Sequence, residues 1–268
     1  MLKQKKVPIA LTIAGSDSGG GAGVQADLKV FASLGVHGTC ATTCITAQNP
    51  KRVLRIEPCR APIVRRQLEA VFAELRPAAV KTGMLYSAEV IRAVAEFLTR
   101  HRKIPLVVDP VMISTSGTRL LEAPAIQSLS TRLLPMATLV TPNLDEAAVL
   151  TGRKLELIED MRSAARQLHQ QFGCASLVKG GHLKGAAEAA DIFFDGKVEL
   201  LLTVPFIKGV RTHGTGCFYS AAITAFLGRG ERLLQAVTKA KEYISQAICQ
   251  SNAIGKHRVL NAFWNAKR

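Results

Sequence analysis

Short apolar runs alternate with longer amphipathic segments along most of the chain. The short runs are typical of buried strands and cover residues 7–14, 39–47, 78–84, 106–112, 138–141 and 176–179. The longer segments repeat apolar residues near the helical period, which predicts helices over 25–34, 62–75, 87–102, 123–133 and 161–172. This alternation predicts an α/β fold in three layers (α/β/α), with a mostly parallel central sheet and helices on both of its faces.

Two later apolar runs indicate a small addition to this sheet. Residues 191–194 and 199–204 lie on either side of Gly196, a spacing that predicts an antiparallel hairpin. The chain contains no internal repeat, low-complexity linker or shift of composition. We therefore expect residues 1–268 to form a single domain.

The charge balance favours anionic ligands. Lys and Arg total 35 against 20 Asp and Glu, a formal net charge of +15, and the basic residues are scattered rather than gathered in a run. Such a surface attracts anions without selecting among them. With aromatic residues at only 5%, an aromatic-rich nucleic-acid platform is excluded, and we expect small phosphorylated ligands rather than a polyanion.

The cysteines and the N-terminus bear on the compartment. The six cysteines include no C-x-x-C pair and no spacing typical of zinc ligands. The basic start of the chain is followed by an apolar run that is short for a secretion signal, and no stretch reaches 18 uninterrupted apolar residues. We expect a reduced, cytoplasmic protein without a membrane segment.

Ligands of such sheets bind beyond the carboxyl ends of the strands, and a glycine-rich segment, residues 15–23, follows the first strand there. It matches neither the dinucleotide fingerprint nor the Walker loop. Its five glycines exceed what a tight turn needs, so we expect its backbone N–H groups at the helix start to face an anionic or polar ligand. Asp27, one turn into the helix, either contacts that ligand or is an ordinary first-turn acid.

A second glycine-rich segment, residues 213–217, precedes a strongly apolar helical pattern. The N–H groups of Gly214, Thr215, Gly216 and Cys217 would converge there and stabilise charge on a transferring phosphoryl group. Cys217 is either a thiolate of lowered pKa that acts as a base, or a buried small hydrophobic residue.

Three further strand ends carry polar groups whose roles stay open. Asn143, Asp145 and Glu146 suit magnesium held through water, or the two acids belong to an ordinary first helical turn. Lys179, followed by two glycines, suits phosphate or a plain β-turn. Gln48 either pairs with the edge of a heterocycle or caps its strand.

Seven of these segments occur together and in order: residues 11–29, 46–49, 81–85, 108–112, 141–146, 178–182 and 212–217. Between about residues 10 and 247 the chain resembles the hydroxymethylpyrimidine/phosphomethylpyrimidine kinases of thiamine biosynthesis, within the ribokinase-like superfamily. The resemblance implies transfer of the ATP γ-phosphoryl group first to the hydroxymethyl group of an aminopyrimidine and then to the resulting monophosphate.

The resemblance also implies roles for individual residues. Cys217 would be catalytic, at an anion hole formed by the amides of Gly214, Thr215, Gly216 and Cys217 itself. Lys179 would face the phosphates of the nucleotide, and Asn143 and two acids would hold Mg²⁺. Family members are usually homodimers. The implied metal ligands are Asp109 and Glu146. The implied pyrimidine-binding residues are Gly15, Asp27, Gln48, Met84 and Val111.

The chain departs from the family pattern at three places. Thr118 stands where the family's flap has an acid, Arg211 where Asn is common, and residues 255–263 replace a Gly- and His-rich tail. The nearest alternative function is a pyridoxal or pyridoxine kinase, against which Gln48 argues, because a pyridine ring lacks the aminopyrimidine donor–acceptor edge. A non-catalytic basic binding protein is the remote alternative.

Overall fold

The computed structural model describes residues 6–113, 120–181, 183, 188–207 and 213–265. Within these residues, nine strands form one sheet in the order β3-β2-β1-β4-β5-β6-β7-β8-β9. The six strands from β2 to β7 in this order pair in parallel, and β3, β8 and β9 add antiparallel pairings at the two edges. The strands are β1 (Ile9–Asp17), β2 (His37–Asn49), β3 (Arg52–Pro58), β4 (Ala79–Thr82), β5 (Leu106–Val108), β6 (Leu139–Val140), β7 (Ala175–Gly180), β8 (Glu188–Phe194) and β9 (Glu199–Pro205).

Helices cover both faces of this sheet, as the α/β/α prediction requires. One core lies between the sheet and α2 to α6, and the other between the sheet and α1, α7 and α8. The helices are α1 (Gly23–Ser33), α2 (Ala61–Glu74), α3 (Ala88–Leu98), α4 (Ala123–Ser128), α5 (Leu144–Thr151), α6 (Ile158–Phe172), α7 (Thr215–Gly228) and α8 (Leu233–Cys249). The predicted fold class is confirmed.

Helix α7 is the element that brings the strand ends and the second glycine-rich segment together. Every residue from Phe218 to Gly228 is buried, so the helix is covered on all sides and packs between α1, α8 and the middle of the sheet. Because α7 lies on the face of β4 and β5, its N-terminus meets their carboxyl ends.

Several boundaries differ from the sequence prediction. The predicted late hairpin is confirmed as β8 and β9. The strand β3 was not predicted, because its mostly exposed, charged residues give no apolar run. The predicted helix over 123–133 ends as an α-helix at Ser128 and continues as a π-helical turn (Leu129–Leu133) and a 3₁₀ turn (Leu134–Met136). A short pairing of β10 (Asn252–Ile254) with β11 (His257–Val259) occupies the altered tail. Among the helices in the described ranges, none has the length and apolar character to cross a bilayer.

Candidate active site

Charged side chains lie buried in a row between the sheet and α7. Ala79 and Leu177 belong to the core on the α7 side, so alternation along each strand places Lys81 of β4 and Lys179 of β7 on the same face. Each lysine is ion-paired, and a third pair follows at β8 and α8. The charge row consists of the pairs Asp27–Lys81 (2.8 Å), Asp109–Lys179 (2.9 Å) and Asp191–Lys241 (2.7 Å).

The N-terminus of α7 lies against the Asp109–Lys179 pair of this row. Gly214 caps the helix with φ +86°, and the N–H of Phe218 bonds to the Gly214 carbonyl at 3.0 Å. The N–H groups of residues 215–217 therefore have no acceptor within the helix. A Cβ on Gly216 would lie 3.1 Å from Lys179 Nζ and 3.7 Å from Asp109 Oδ2. The predicted anion-binding turn and the predicted phosphate lysine are thus neighbours.

The hydroxyl of Ser220 connects this turn to the charge row. It lies 3.2 Å from Asp109 Oδ2 and 3.0 Å from the Gly216 carbonyl. Asp109 Oδ1 accepts in turn from Thr141 at 3.2 Å. These contacts fix the first turn of α7 against the end of β5, and the role of Ser220 was not predicted.

The first glycine-rich segment differs from its prediction. We expected its N–H groups to face a ligand, but Asp17 accepts from the N–H groups of Gly19 (2.8 Å), Gly21 (3.1 Å) and Ala22 (2.8 Å). Those three donors are satisfied inside the protein and are not presented to an anion. Burial opposes ionisation of Asp17, but these bonds and His213 lower its pKa overall.

The two glycine-rich segments contact each other directly. A Cβ on Gly214 would lie 1.9 Å from the Gly21 carbonyl oxygen, and one on Gly21 would lie 3.3 Å from the ring of His213. His213 Nε2 is also 3.4 Å from Asp17 Oδ2 and 2.7 Å from Gln48 Nε2. His213 therefore joins both segments to the end of β2, although the sequence suggested no role for it.

Cys217 is the third residue of α7 and lies near both Lys81 and Gly23. The prediction of a lowered thiol pKa is wrong: burial raises the pKa of Cys217 to about 12, which the nearby Lys81 ammonium and the Gly23 N–H offset only in part. The helix-end argument neglected the desolvation of this thiol, which is partly buried beside Gly23 of the first glycine-rich segment. Cys217 is thus a neutral thiol in the ligand-free protein.

Asp27 is also placed differently from its prediction. Its side chain has no exposed surface, and its two oxygens accept from Lys81 Nζ (2.8 and 2.9 Å) and from the Thr12 hydroxyl (2.6 Å). Both of its oxygens are therefore paired inside the protein. Burial raises the pKa of Asp27; for Lys81 burial lowers the pKa, but Asp27 and its other anionic neighbours raise it overall. Lys81 therefore keeps its proton and supports the charge of Asp27.

Asn143 and Glu146 cap the N-terminus of α5. The Asn143 side chain accepts from the Glu146 N–H, and Glu146 Oε2 accepts from the Asn143 N–H, both at 2.9 Å, which forms a capping box at the start of α5. Burial raises the pKa of Glu146 to about 7, and nearby Asp109 adds to this while Lys179 opposes it.

The carboxylates of Asp109 and Glu146 fit Mg²⁺. Two buried carboxylates, Asp109 and Glu146, lie close to the ammonium of Lys179, and Asp109 also lies near that of Lys81. A divalent cation would relieve the repulsion between the two carboxylates. No cluster of three His, Cys, Asp or Glu occurs in the ranges that the structure describes. Magnesium needs none, because it is commonly bound by one or two carboxylates together with water and phosphate oxygens.

The remaining predicted pocket residues lie at the ends of β1, β2, β4 and β5. A Cβ on Gly15 would lie 2.6 Å from Cys44 Sγ and 3.7 Å from Met84 Sδ, so Gly15 and Met84 are neighbours. Gln48 and Val111 are both partly exposed at their strand ends. Residues 116–118 and Arg211, where the chain departs from the family pattern, lie outside the described residues.

Comparison with known proteins agrees with this arrangement. Residues 17–261 match the family model described as phosphomethylpyrimidine kinase. The chain is 49% identical over 247 residues to a hydroxymethylpyrimidine/phosphomethylpyrimidine kinase of Rhizobium meliloti, covering 92% of each chain. It is 46% identical to the thiamine biosynthesis bifunctional protein ThiED of Geobacter sulfurreducens, of which it spans half (50%) while 92% of this chain is aligned.

Solved structures show the same fold. A phosphomethylpyrimidine kinase from Clostridium difficile has a TM-score of 0.80 at 42% identity, covering 91% of this chain and 100% of that one. An ADP complex of Bacillus subtilis pyridoxal kinase has a TM-score of 0.89 at 35% identity, covering 96% and 98%. The family match spans most of the sequence and includes the second glycine-rich segment and residues 17–23 of the first. The chain belongs to the phosphomethylpyrimidine kinase family.

Proposed function

We propose that the protein transfers the γ-phosphoryl group of ATP to 4-amino-5-hydroxymethyl-2-methylpyrimidine and then to the resulting monophosphate, in thiamine biosynthesis. The observation that carries this proposal is the junction at His213. This residue joins Gln48, an amide suited to the edge of an aminopyrimidine, to Gly214, the cap of an anion-binding helix. One end of the site thus suits the ring and the other suits the phosphoryl group.

In the first transfer the substrate alcohol loses its proton, its oxygen bonds to the γ-phosphorus, and the bond from that phosphorus to the β-bridging oxygen breaks. The amides of Gly214, Thr215, Gly216 and Cys217 line the helix end where negative charge develops on the phosphoryl oxygens. The thiol of Cys217 is neutral at rest, so it acts as a base only in its ionised form, which the Lys81 ammonium favours.

We propose that Lys179 contacts the nucleotide phosphates and that Asp109, Asn143 and Glu146 hold Mg²⁺, which neutralises phosphate charge when bound. Lys179 lies 3.1 Å from the Cβ position of Gly216, so the lysine ammonium and the helix end are adjacent, which supports a phosphate position in contact with both. Gly15, Met84 and Val111 complete the ring pocket. Asp27 supports its floor through Lys81.

Pyridoxal kinase is the second candidate, because solved pyridoxal kinases superpose on this chain with TM-scores of 0.89–0.90 at 32–35% identity. The test is an ATP-consumption assay with Mg²⁺ that compares the aminopyrimidine with pyridoxine and follows the products by mass. Formation of the pyrimidine mono- and diphosphate supports the proposal. Turnover of pyridoxine alone would transfer the assignment to the vitamin B6 kinases, and turnover of neither would contradict both.

We further propose that the chain acts as one cytoplasmic kinase domain and assembles as a homodimer, as members of its family usually do. Light scattering coupled to size-exclusion chromatography tests the dimer. A mass near twice 28.8 kDa is expected, and a mass of a single chain at micromolar concentration would contradict it.

A further inference from the structure

The amide of Gln48 is held between two side chains of different kinds. Its Oε1 lies 3.2 Å from the hydroxyl of Thr46, and its Nε2 lies 2.7 Å from Nε2 of His213. The Thr46 hydroxyl also donates to the carbonyl of Ser16 at 2.8 Å, so its single proton is shared and holds the amide weakly. The contact with His213 is the shorter one and dominates the orientation of the amide.

The backbone of Gln48 is fixed as well. Its N–H donates to the Ser18 hydroxyl, and that hydroxyl donates to the Gln48 carbonyl, both at 2.8 Å. Rotation of the side-chain amide is therefore the main freedom that the residue retains. Whatever group fixes that rotation decides which edge Gln48 presents to a ligand.

A carboxamide presents one oxygen and one N–H along its free edge, and a half-turn exchanges the two. The aminopyrimidine edge has a donor beside an acceptor. For a given position of the ring, it therefore pairs with one orientation of the amide and is mismatched with the reversed orientation. The amide nitrogen of Gln48 only donates, so His213 Nε2 accepts from it in the tautomer that carries its proton on Nδ1. In that tautomer the reversed amide would place two acceptors 2.7 Å apart.

His213 is well held for this task. Its ring packs against Gly21 of the first glycine-rich segment, and its Nε2 lies 3.4 Å from Asp17, whose carboxylate is fixed by three backbone N–H groups. The next residue, Gly214, begins the anion-binding turn. The ring thus contacts the substrate-recognising amide without standing in the position of the substrate.

We propose that His213 is a positioning residue that sets the amide order of Gln48 and thereby favours an aminopyrimidine over a pyridine. This inference rests on the proposed function, since it assumes that Gln48 meets the ring of the substrate. His213 would thus select among substrates, in addition to the residues that bind them.

The test compares His213→Phe, which keeps a flat ring but has no acceptor, with His213→Gln, which loses the ring but keeps an acceptor. Dissociation constants of the aminopyrimidine and of pyridoxine are measured by calorimetry on the full chain, together with KM and kcat. His213→Phe should weaken aminopyrimidine binding and raise its KM about tenfold while pyridoxine binding changes about twofold or less. His213→Gln should recover most of the loss.

A packing role predicts the opposite ranking, with His213→Phe the better substitute, and that result would overturn the proposal. Combination with Gln48→Ala supplies the control, because His213→Phe should then change the preference no further. An undiminished effect in that background would show that His213 acts through another group and would also overturn it. Circular dichroism confirms that each variant is folded.

The wild-type measurements separate the two proposals. If the wild-type protein prefers pyridoxine, the proposed function fails and this inference falls with it. If it prefers the aminopyrimidine but His213→Phe weakens both ligands equally, only the inference fails.

Discussion

The ion pair of Asp27 and Lys81 is the buried contact whose loss should be most costly to folding. Both side chains are fully buried, and the pair is made at 2.8 and 2.9 Å. Lys81→Met leaves Asp27 with the Thr12 hydroxyl as its one remaining described side-chain donor. Breaking a buried pair from one side costs about 3–5 kcal/mol, because the remaining charge is neither hydrated nor paired. We expect the free energy of unfolding to fall by that amount.

Two variants calibrate this value. Thr12→Val removes one hydrogen bond to the same carboxylate at nearly constant volume and should cost about 2 kcal/mol. Lys81→Met combined with Asp27→Asn leaves no buried charge at the pair and keeps an acceptor for Thr12. We expect the double variant to be more stable than Lys81→Met alone by about 2 kcal/mol.

Urea denaturation of the full chain, followed by circular dichroism at constant pH, measures the wild type, these three variants and Asp27→Asn alone. The reasoning is refuted if Lys81→Met costs no more than Thr12→Val. It is also refuted if the two substitutions at the pair add independently, because desolvation of an unpaired charge predicts strong coupling between them.

The remaining predictions concern the catalytic end of the site. Gly214→Ala should lower kcat about a hundredfold, since its Cβ would lie 1.9 Å from the Gly21 carbonyl oxygen. The control is Gly230→Ala, which has a similar φ (+85°) but open space around its Cβ and should leave kcat unchanged. Equal kinetics for the two variants would contradict the expected effect of the clash. Because burial raises the pKa of Glu146 from 4.5 to about 7, the ligand-free protein should lose about 3 kcal/mol of stability to this group as pH rises from about 4.5 through 7. Urea titrations at pH 5 and pH 8 should show that loss in the wild type and not in Glu146→Gln; parallel losses would disprove it. Cys217→Ser should slow transfer to the alcohol much more than transfer to the already ionised monophosphate, and equal losses in single-turnover assays would rule out its role as a base.

The sequence was most informative where local pattern decides structure. Alternating strands and helices, the late hairpin and the meeting of strand ends at one edge all follow from apolar periodicity. The edge strand Arg52–Pro58 escaped prediction because exposure removes that periodicity. Pairing across the fold escaped for another reason: Lys81 and Asp27 lie 54 residues apart, and nothing local to either indicates the other.

The errors at Cys217 and in the first glycine-rich segment have a common origin. In both cases the local rule treated backbone N–H groups as available to stabilise negative charge. Tertiary packing supplied Asp17 as an internal acceptor in one case and a desolvated environment for the thiol in the other. Both effects depend on which residues surround the group in space, and the order of residues along the chain does not contain that information directly.

The charge row has a consequence for the behaviour of the protein in salt. Three lysines and three aspartates cancel within the row, so the whole surplus of +15 is carried by other residues. At 0.15 M ionic strength, exposed charges are screened beyond about 8 Å, whereas buried pairs at contact distance are screened much less. Added salt therefore slows the arrival of ATP and of the phosphorylated intermediate while the paired interior is preserved. Ionic strength thus distinguishes charge that recruits substrate from charge that maintains the architecture of the active site.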